Sequence, residues 1–265
     1  MQPFLIALAL AIAGPAQPAP TPDPVRALEA QVMPGRGVTV SSTTRLLGDG
    51  KLFATIRADG VTGFRKGWLT DVDDTIRFHI AMAVPEALTE DFRFPTLFTR
   101  VKGVTYTSGG QLVGRLPLDK KWVRHEWPGD HPGALEVDLF RPGTLEALLA
   151  TASSRSPRAA KGVIYSSKIP GSSSRLTGDR GEKVTWALWF DAKGRVTRLT
   201  TRASQQTNDN YELGISSDQR FTGWGARVTV EPPPQDLVMP ESDLPEIDLL
   251  GESAEKLTEA VTKGN

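Results

Sequence analysis

His125-Glu126-Trp127-Pro128-Gly129-Asp130-His131 brings two imidazoles and two carboxylates into seven residues, the one cluster of ligand types in the chain. Those groups suit zinc or copper. Their spacing is not the helical H-E-x-x-H that sets two histidines on one face, and Pro128-Gly129 turns the backbone between them. The segment therefore reads as a solvated loop, and no metal is expected. Nucleophilic catalysis would need a serine beside His79, His125 or His131 with a carboxylate behind the imidazole. There is no G-x-S-x-G elbow, and Ser172-Ser173-Ser174 has the composition of a loop. Asp71-Val72-Asp73-Asp74 could hold calcium, but the glycine and glutamate of an EF-hand loop are missing, so it reads as a turn between strands. The glycines near Ser108 and between Gly171 and Gly181 lack the phosphate-loop pattern. No carboxylate pair is singled out for glycoside hydrolysis. The chain is expected to be non-catalytic and to need no cofactor.

Composition narrows the classes further. The 265 residues are 39% apolar and 23% charged, enough for one sizeable core or two small ones. Thirty-one basic residues balance 31 acidic ones, so the broad positive footprint of a nucleic-acid binder is absent. Overall charge does not favour an anionic membrane surface either, although a local patch stays open. There is no cysteine, hence no disulfide, no thiolate nucleophile, no cysteine-based metal site and no acceptor for a lipoprotein anchor.

The elements that must position any site begin after residue 24. Phe4 to Ala13 is an apolar run of about ten residues, short of the roughly 20 that span a bilayer. Small residues and prolines follow it. Residues 1–19 therefore read as an export signal, with only the α-amino group supplying positive charge, and 20–24 as a Pro-rich linker. Asp23 caps a short helix from Pro24 to Val32 whose apolar face is Val25, Leu28 and Val32. From Val38 the chain alternates like a β-meander, cleanest at Thr75–Met82, where Ile76, Phe78, Ile80 and Met82 face one way. A second helix over Thr144–Ala150 presents Leu145, Leu148 and Leu149, with Thr144 as its cap. A polar connection spans 151–161, and Val163, Tyr165 and Ile169 fall in phase beyond it.

The organising stretch is Lys183 to Glu231. Val184, Trp186, Leu188 and Phe190 alternate with polar neighbours, Asp191-Ala192-Lys193-Gly194 turns, and Arg195–Ala203 returns as a hairpin. Alternation resumes at Tyr211, Leu213 and Ile215, and again at Ala226, Val228 and Val230. The six tryptophans, Trp68, Trp122, Trp127, Trp186, Trp189 and Trp224, could stack sugars or bases or simply pack. Residues 25–235 are read as one domain and 236–265 as an acidic tail holding a short helix at most.

The order of these parts resembles LolA-like lipid carriers, particularly the actinobacterial exported lipoproteins of the LppX and LprG group. The residues that carry the likeness are Asp23-Pro24-Val25, Val104-Thr105-Tyr106-Thr107 with Lys120-Lys121-Trp122-Val123-Arg124, Pro142-Gly143-Thr144-Leu145 with Leu148-Leu149, Trp186-Ala187-Leu188-Trp189-Phe190-Asp191 with Gly194-Arg195, Phe221–Gly225 and Val228–Pro232. The resemblance implies an α+β fold: a strongly curved antiparallel sheet, a half-barrel, with short helices closing its concave face over an apolar cavity. It implies an exported, monomeric protein of the cell envelope that holds an acyl chain of a lipid or lipoprotein. Contact with a membrane surface or an envelope protein partner is compatible with it. An envelope-stress or signalling regulator of the same fold, acting through protein contacts, is the alternative. The candidate walls are Ile76, Phe78, Ile80 and Met82 on one side and Trp186, Leu188 and Phe190 on the other. Val25, Leu28, Leu145, Leu148 and Leu149 form the candidate lid.

Overall fold

The computed structural model describes residues 22–66, 70–81, 92–125, 137–170, 182–206 and 212–244. Helix α1 (Pro24–Glu29) opens the fold, with Asp23 Oδ1 accepting from Val25 N at 2.9 Å. Three long strands follow: β1 (Arg36–Gly48), β2 (Lys51–Phe64) and β3 (Thr70–Ile80). Then come β4 (Thr96–Val101), β5 (Val104–Gly109) and β6 (Trp122–His125). Helix α2 (Thr144–Ala150) leads into β7 (Ala152–Arg155) and β8 (Ala159–Tyr165). The organising stretch supplies β9 (Lys183–Phe190), β10 (Val196–Gln206) and β11 (Glu212–Arg227), and β12 (Val238–Pro240) is the last strand.

All twelve strands join one sheet, ordered β12-β6-β5-β4-β3-β2-β1-β11-β10-β9-β8-β7. It is curved and unclosed. Neighbours run antiparallel except β12, which lies parallel to β6. Two meanders thus meet at a single long-range seam, β1 against β11, registered from Arg36↔Arg227 to Gly48↔Leu213. Both helices lie against one face, called the inner face below. There Leu28 of α1 and Leu145 and Leu148 of α2 enter a cluster with Val184, Trp186, Leu188, Phe190, Leu199 and Phe221. Gly162 stands directly opposite Trp186 across the β8–β9 ladder, and a Cβ there would collide with the indole ring. A ring of aromatics, Phe64, Phe140, Phe221 and Trp224, ties the end of β2 to β11 with centroid distances from 5.4 to 6.3 Å. Trp224 Nε1 also donates to Val196 O at 2.7 Å, so this tryptophan and Trp186 serve packing.

Several local expectations are corrected. Asp71–Asp74 is no turn but the opening of β3, and its carboxylates find partners within the sheet. Asp71 accepts from Lys102 N at 2.8 Å, Asp73 accepts from Thr99 Oγ1 at 3.2 Å, and Gly60 opposite Asp74 leaves room for the third. The polar connection at 151–161 contains β7 and the start of β8, because Ser and Arg side chains suit an edge strand facing water. Val163 and Tyr165 are exposed while Ile169 is buried, so the three are not in phase. Val228–Val230 lies beyond the end of β11, and Glu231 and its three following prolines give it no ladder to join. Gly143 in the left-handed region, not Thr144, caps α2. Beyond residue 235, β12 (Val238–Pro240) adds to the sheet beside β6.

One buried charge stands out. Glu182 is 8% exposed, and its Oε1 has no hydrogen-bond partner, while its backbone is held by Ser166 through bonds of 2.8 Å in each direction. Burial raises the carboxyl above its ordinary value. The folded state therefore binds the proton more tightly than the unfolded chain. Stability falls as pH climbs from the ordinary carboxylate range, about 4.3, through the raised folded value. Glu182→Gln is expected to raise the melting temperature, with a gain larger at pH 8 than at pH 4. A gain that does not change with pH would show that Glu182 is not held above its ordinary value.

Candidate functional site

Residues paired directly across a ladder carry their side chains to the same face. Following the register from β8 to β3, one row reads Gly162, Trp186, Thr201, Ser217, Thr44, Ile56 and Phe78. The next reads Ala160, Leu188, Leu199, Gln219, Ser42, Ala58 and Ile76. The two sets of candidate wall residues, far apart in sequence, thus share the inner face. About 24 Å of sheet separates β9 from β3 at the usual strand spacing.

The two ends of that face differ in how they are filled. Leu28, Leu145, Leu148, Trp186, Leu188 and Phe190 are all buried and pack into one cluster beneath the helices, with Val25 and Leu149 half-buried against it. Ile76 is buried in a second, smaller cluster with Ala58, Val72 and Phe98, and Phe78 leans on it half-exposed. Ile80 ends β3 half-buried, and Phe92 meets Phe78 with centroids 5.1 Å apart. Met82 lies outside the described residues.

Between the apolar ends lies a strip that sequence reasoning did not single out: Ser42, Thr44, Thr201, Ser217 and Gln219, all buried. Gln219 Nε2 donates to Val137 O at 3.4 Å, whereas Ser217 Oγ and Trp186 Nε1 have no partner. The signal was present in the Ser41-Ser42-Thr43-Thr44 and Ser216-Ser217 runs. Alternating Ser and Thr, however, does not reveal which face is buried. The inner face offers apolar contact at both ends and hydroxyl and amide groups between them. Among the described residues it gathers no set of His, Asp or Glu able to hold a metal ion.

The histidine cluster resolves in part. His125 is half-buried, with Thr107 Oγ1 at 2.8 Å from Nε2 and Glu241 Oε1 at 3.0 Å from Nδ1. It fastens the turn at Glu241–Asp243, just after β12, to the sheet, and among the described residues no serine joins it. Glu126, Asp130 and His131, like Ser172–Ser174, lie outside the described residues.

No protein-family model and no curated protein sequence matches the chain. Among solved structures, it is similar to a DUF1329 family protein from Desulfovibrio piger at 11% identity and a TM-score of 0.31, over 78% of this chain and 92% of that one. It is also similar to a LolA superfamily protein from Nitrosomonas europaea at 11% identity and a TM-score of 0.28, over 78% and 93%. At such distance, function has to be read from the geometry of the sheet itself. Among the described residues no helix is long and apolar enough to cross a membrane.

The pairing of His125 with Glu241 makes a specific demand. His125→Ala should free the C-terminal segment, so that limited proteolysis cuts near residue 240 faster while the rest of the sheet resists. If cleavage there is unchanged, the histidine does not hold that segment.

Proposed function

We propose that this protein is an exported, non-catalytic carrier that holds the acyl chain of a lipid or lipoprotein against the inner face of its sheet. The observation that carries the reading is the register: two apolar surfaces from opposite halves of the chain lie on one face of a curved, unclosed sheet. A hydrocarbon guest needs no catalytic group. Each methylene taken out of water contributes about 0.8 kcal/mol, less the cost of immobilising protein and ligand. The strip of Thr44, Ser217 and Gln219 supplies donors and acceptors where a carboxyl or ester group would lie.

The helices fit this role as displaceable cover. At six and seven residues, α1 and α2 are too short to persist alone and are held by the apolar contacts of Leu28, Leu145 and Leu148. An acyl chain presents surface of the same kind, so it can replace those contacts at little cost. Val25, Leu28, Leu145, Leu148 and Leu149 are then the lid. Ile76, Phe78, Ile80, Trp186, Leu188 and Phe190 line the seat.

Titration with a fluorescent palmitate analogue should show saturable binding, and native mass spectrometry of the purified protein should show lipid adducts. Phe78→Asp should weaken binding tenfold or more, about 1.4 kcal/mol or above. Leu118→Asp, at a fully exposed position, should leave it unchanged. Absence of saturable binding together with an adduct-free mass would reject the carrier reading.

A further inference from the structure

The opposite, outer face of the same strands carries a cavity of about 460 Å³ that the acyl-chain reading does not use. Its charged lining is Arg45 of β1, Lys161 of β8, Arg198 and Arg202 of β10, and Asp218 of β11. Four cations face one carboxylate in a protein whose total charge is zero. That carboxylate is already engaged. Asp218 accepts from Arg198 Nε at 2.8 Å and from Arg198 Nη2 at 2.7 Å, while the same guanidinium lies 4.8 Å over the ring of Trp189. Arg198 and Asp218 therefore form a fixed, neutral pair.

Arg45, Lys161 and Arg202 are exposed, and no carboxylate among the described residues pairs with them. Arg45 and Arg202 both stand directly opposite Ser216, one on each side. Their Cα atoms are thus two strand spacings apart, about 10 Å, a separation that two arginine side chains can close over one anion. Ser216, Thr185 and Thr200 add hydroxyl groups to the same wall. Arg45 and Arg202, uncompensated on either side of Ser216, repel one another, a cost that a bound anion removes. Arginine forks match the oxygens of a phosphate in pairs, and hydroxyl groups satisfy the rest.

We infer that this outer cavity, built by Arg45, Lys161, Arg202 and the Ser216 hydroxyl, is a binding site for a phosphate-type oxyanion. The phosphate is either free, on a soluble ligand, or displayed as the headgroup of an anionic lipid. The site lies on the face away from the proposed acyl seat, so it stands whether or not that seat is real. Asp218 holds the Arg198 guanidinium in a pair of its own.

The full chain is tested by calorimetric titration with inorganic phosphate at constant chloride. In parallel, it is sedimented with vesicles of phosphatidylglycerol and, separately, of phosphatidylcholine. Binding of inorganic phosphate, or binding to the phosphatidylglycerol vesicles alone, supports the site, and which of the two occurs identifies the source of the phosphate. Arg45→Gln with Arg202→Gln should weaken the observed binding at least tenfold, whereas Arg26→Gln on exposed α1 should not. Lys161→Gln alone should weaken it severalfold and serves if the double variant fails to fold. Wild-type protein that binds neither probe above the chloride background overturns the inference. So does a folded double variant, or a folded Lys161→Gln, that binds as wild type does.

Discussion

The fold depends on one ladder. Each meander could form from neighbouring segments, but only the β1–β11 pairing, which joins residues 36–48 to 213–227, makes them a single sheet. A slip of one residue would turn one half's apolar side chains to water. The middle of the seam sets Ser42 and Thr44 against Gln219 and Ser217, pairs that discriminate weakly between registers. The ends do the discriminating. Val40 faces Phe221 and Leu46 faces Ile215 on the inner face. At the Gly48 end, Asp49 N donates to Glu212 O at 2.8 Å and Glu212 N donates to Asp49 Oδ1 at 2.9 Å. At the other end, Arg36 Nη1 donates to Gly225 O at 3.3 Å. Closing a loop of such length costs entropy before any contact rewards it. The seam is therefore expected to be the late, cooperative step of folding.

Much of the architecture was legible because a half-buried strand leaves a period of two in sequence. The β9–β10 hairpin, the inward set Ile76, Phe78 and Ile80, the cap at Asp23 and the apolar stripe of α2 all follow from local patterns. Illegible were features that distant partners create. Asp71–Asp74 looks like a turn until Lys102, Thr99 and Gly60 are placed around it. The seam itself leaves no local mark, since Ser and Thr serve either face. The outer cavity was invisible for the same reason: Arg45, Lys161 and Arg202 come from three strands far apart in sequence.

The two faces show how a chain can be blank in composition and specific in structure. Alternation lets successive residues of one strand serve opposite chemistry: on β10, Leu199 and Ala203 enter the apolar cluster while Arg198 and Arg202 line the outer cavity. Whole-chain neutrality removes a net long-range field. It does not remove a local one. At physiological salt, charges are screened beyond about 8 Å, so carboxylates elsewhere on the surface do little to offset Arg45 and Arg202 on either side of Ser216. What an anion meets there is set by the residues within that radius, and of those lining the cavity the one carboxylate is committed to Arg198. Net charge is thus a sound guide to steering at a distance and a poor one to a pocket of this size.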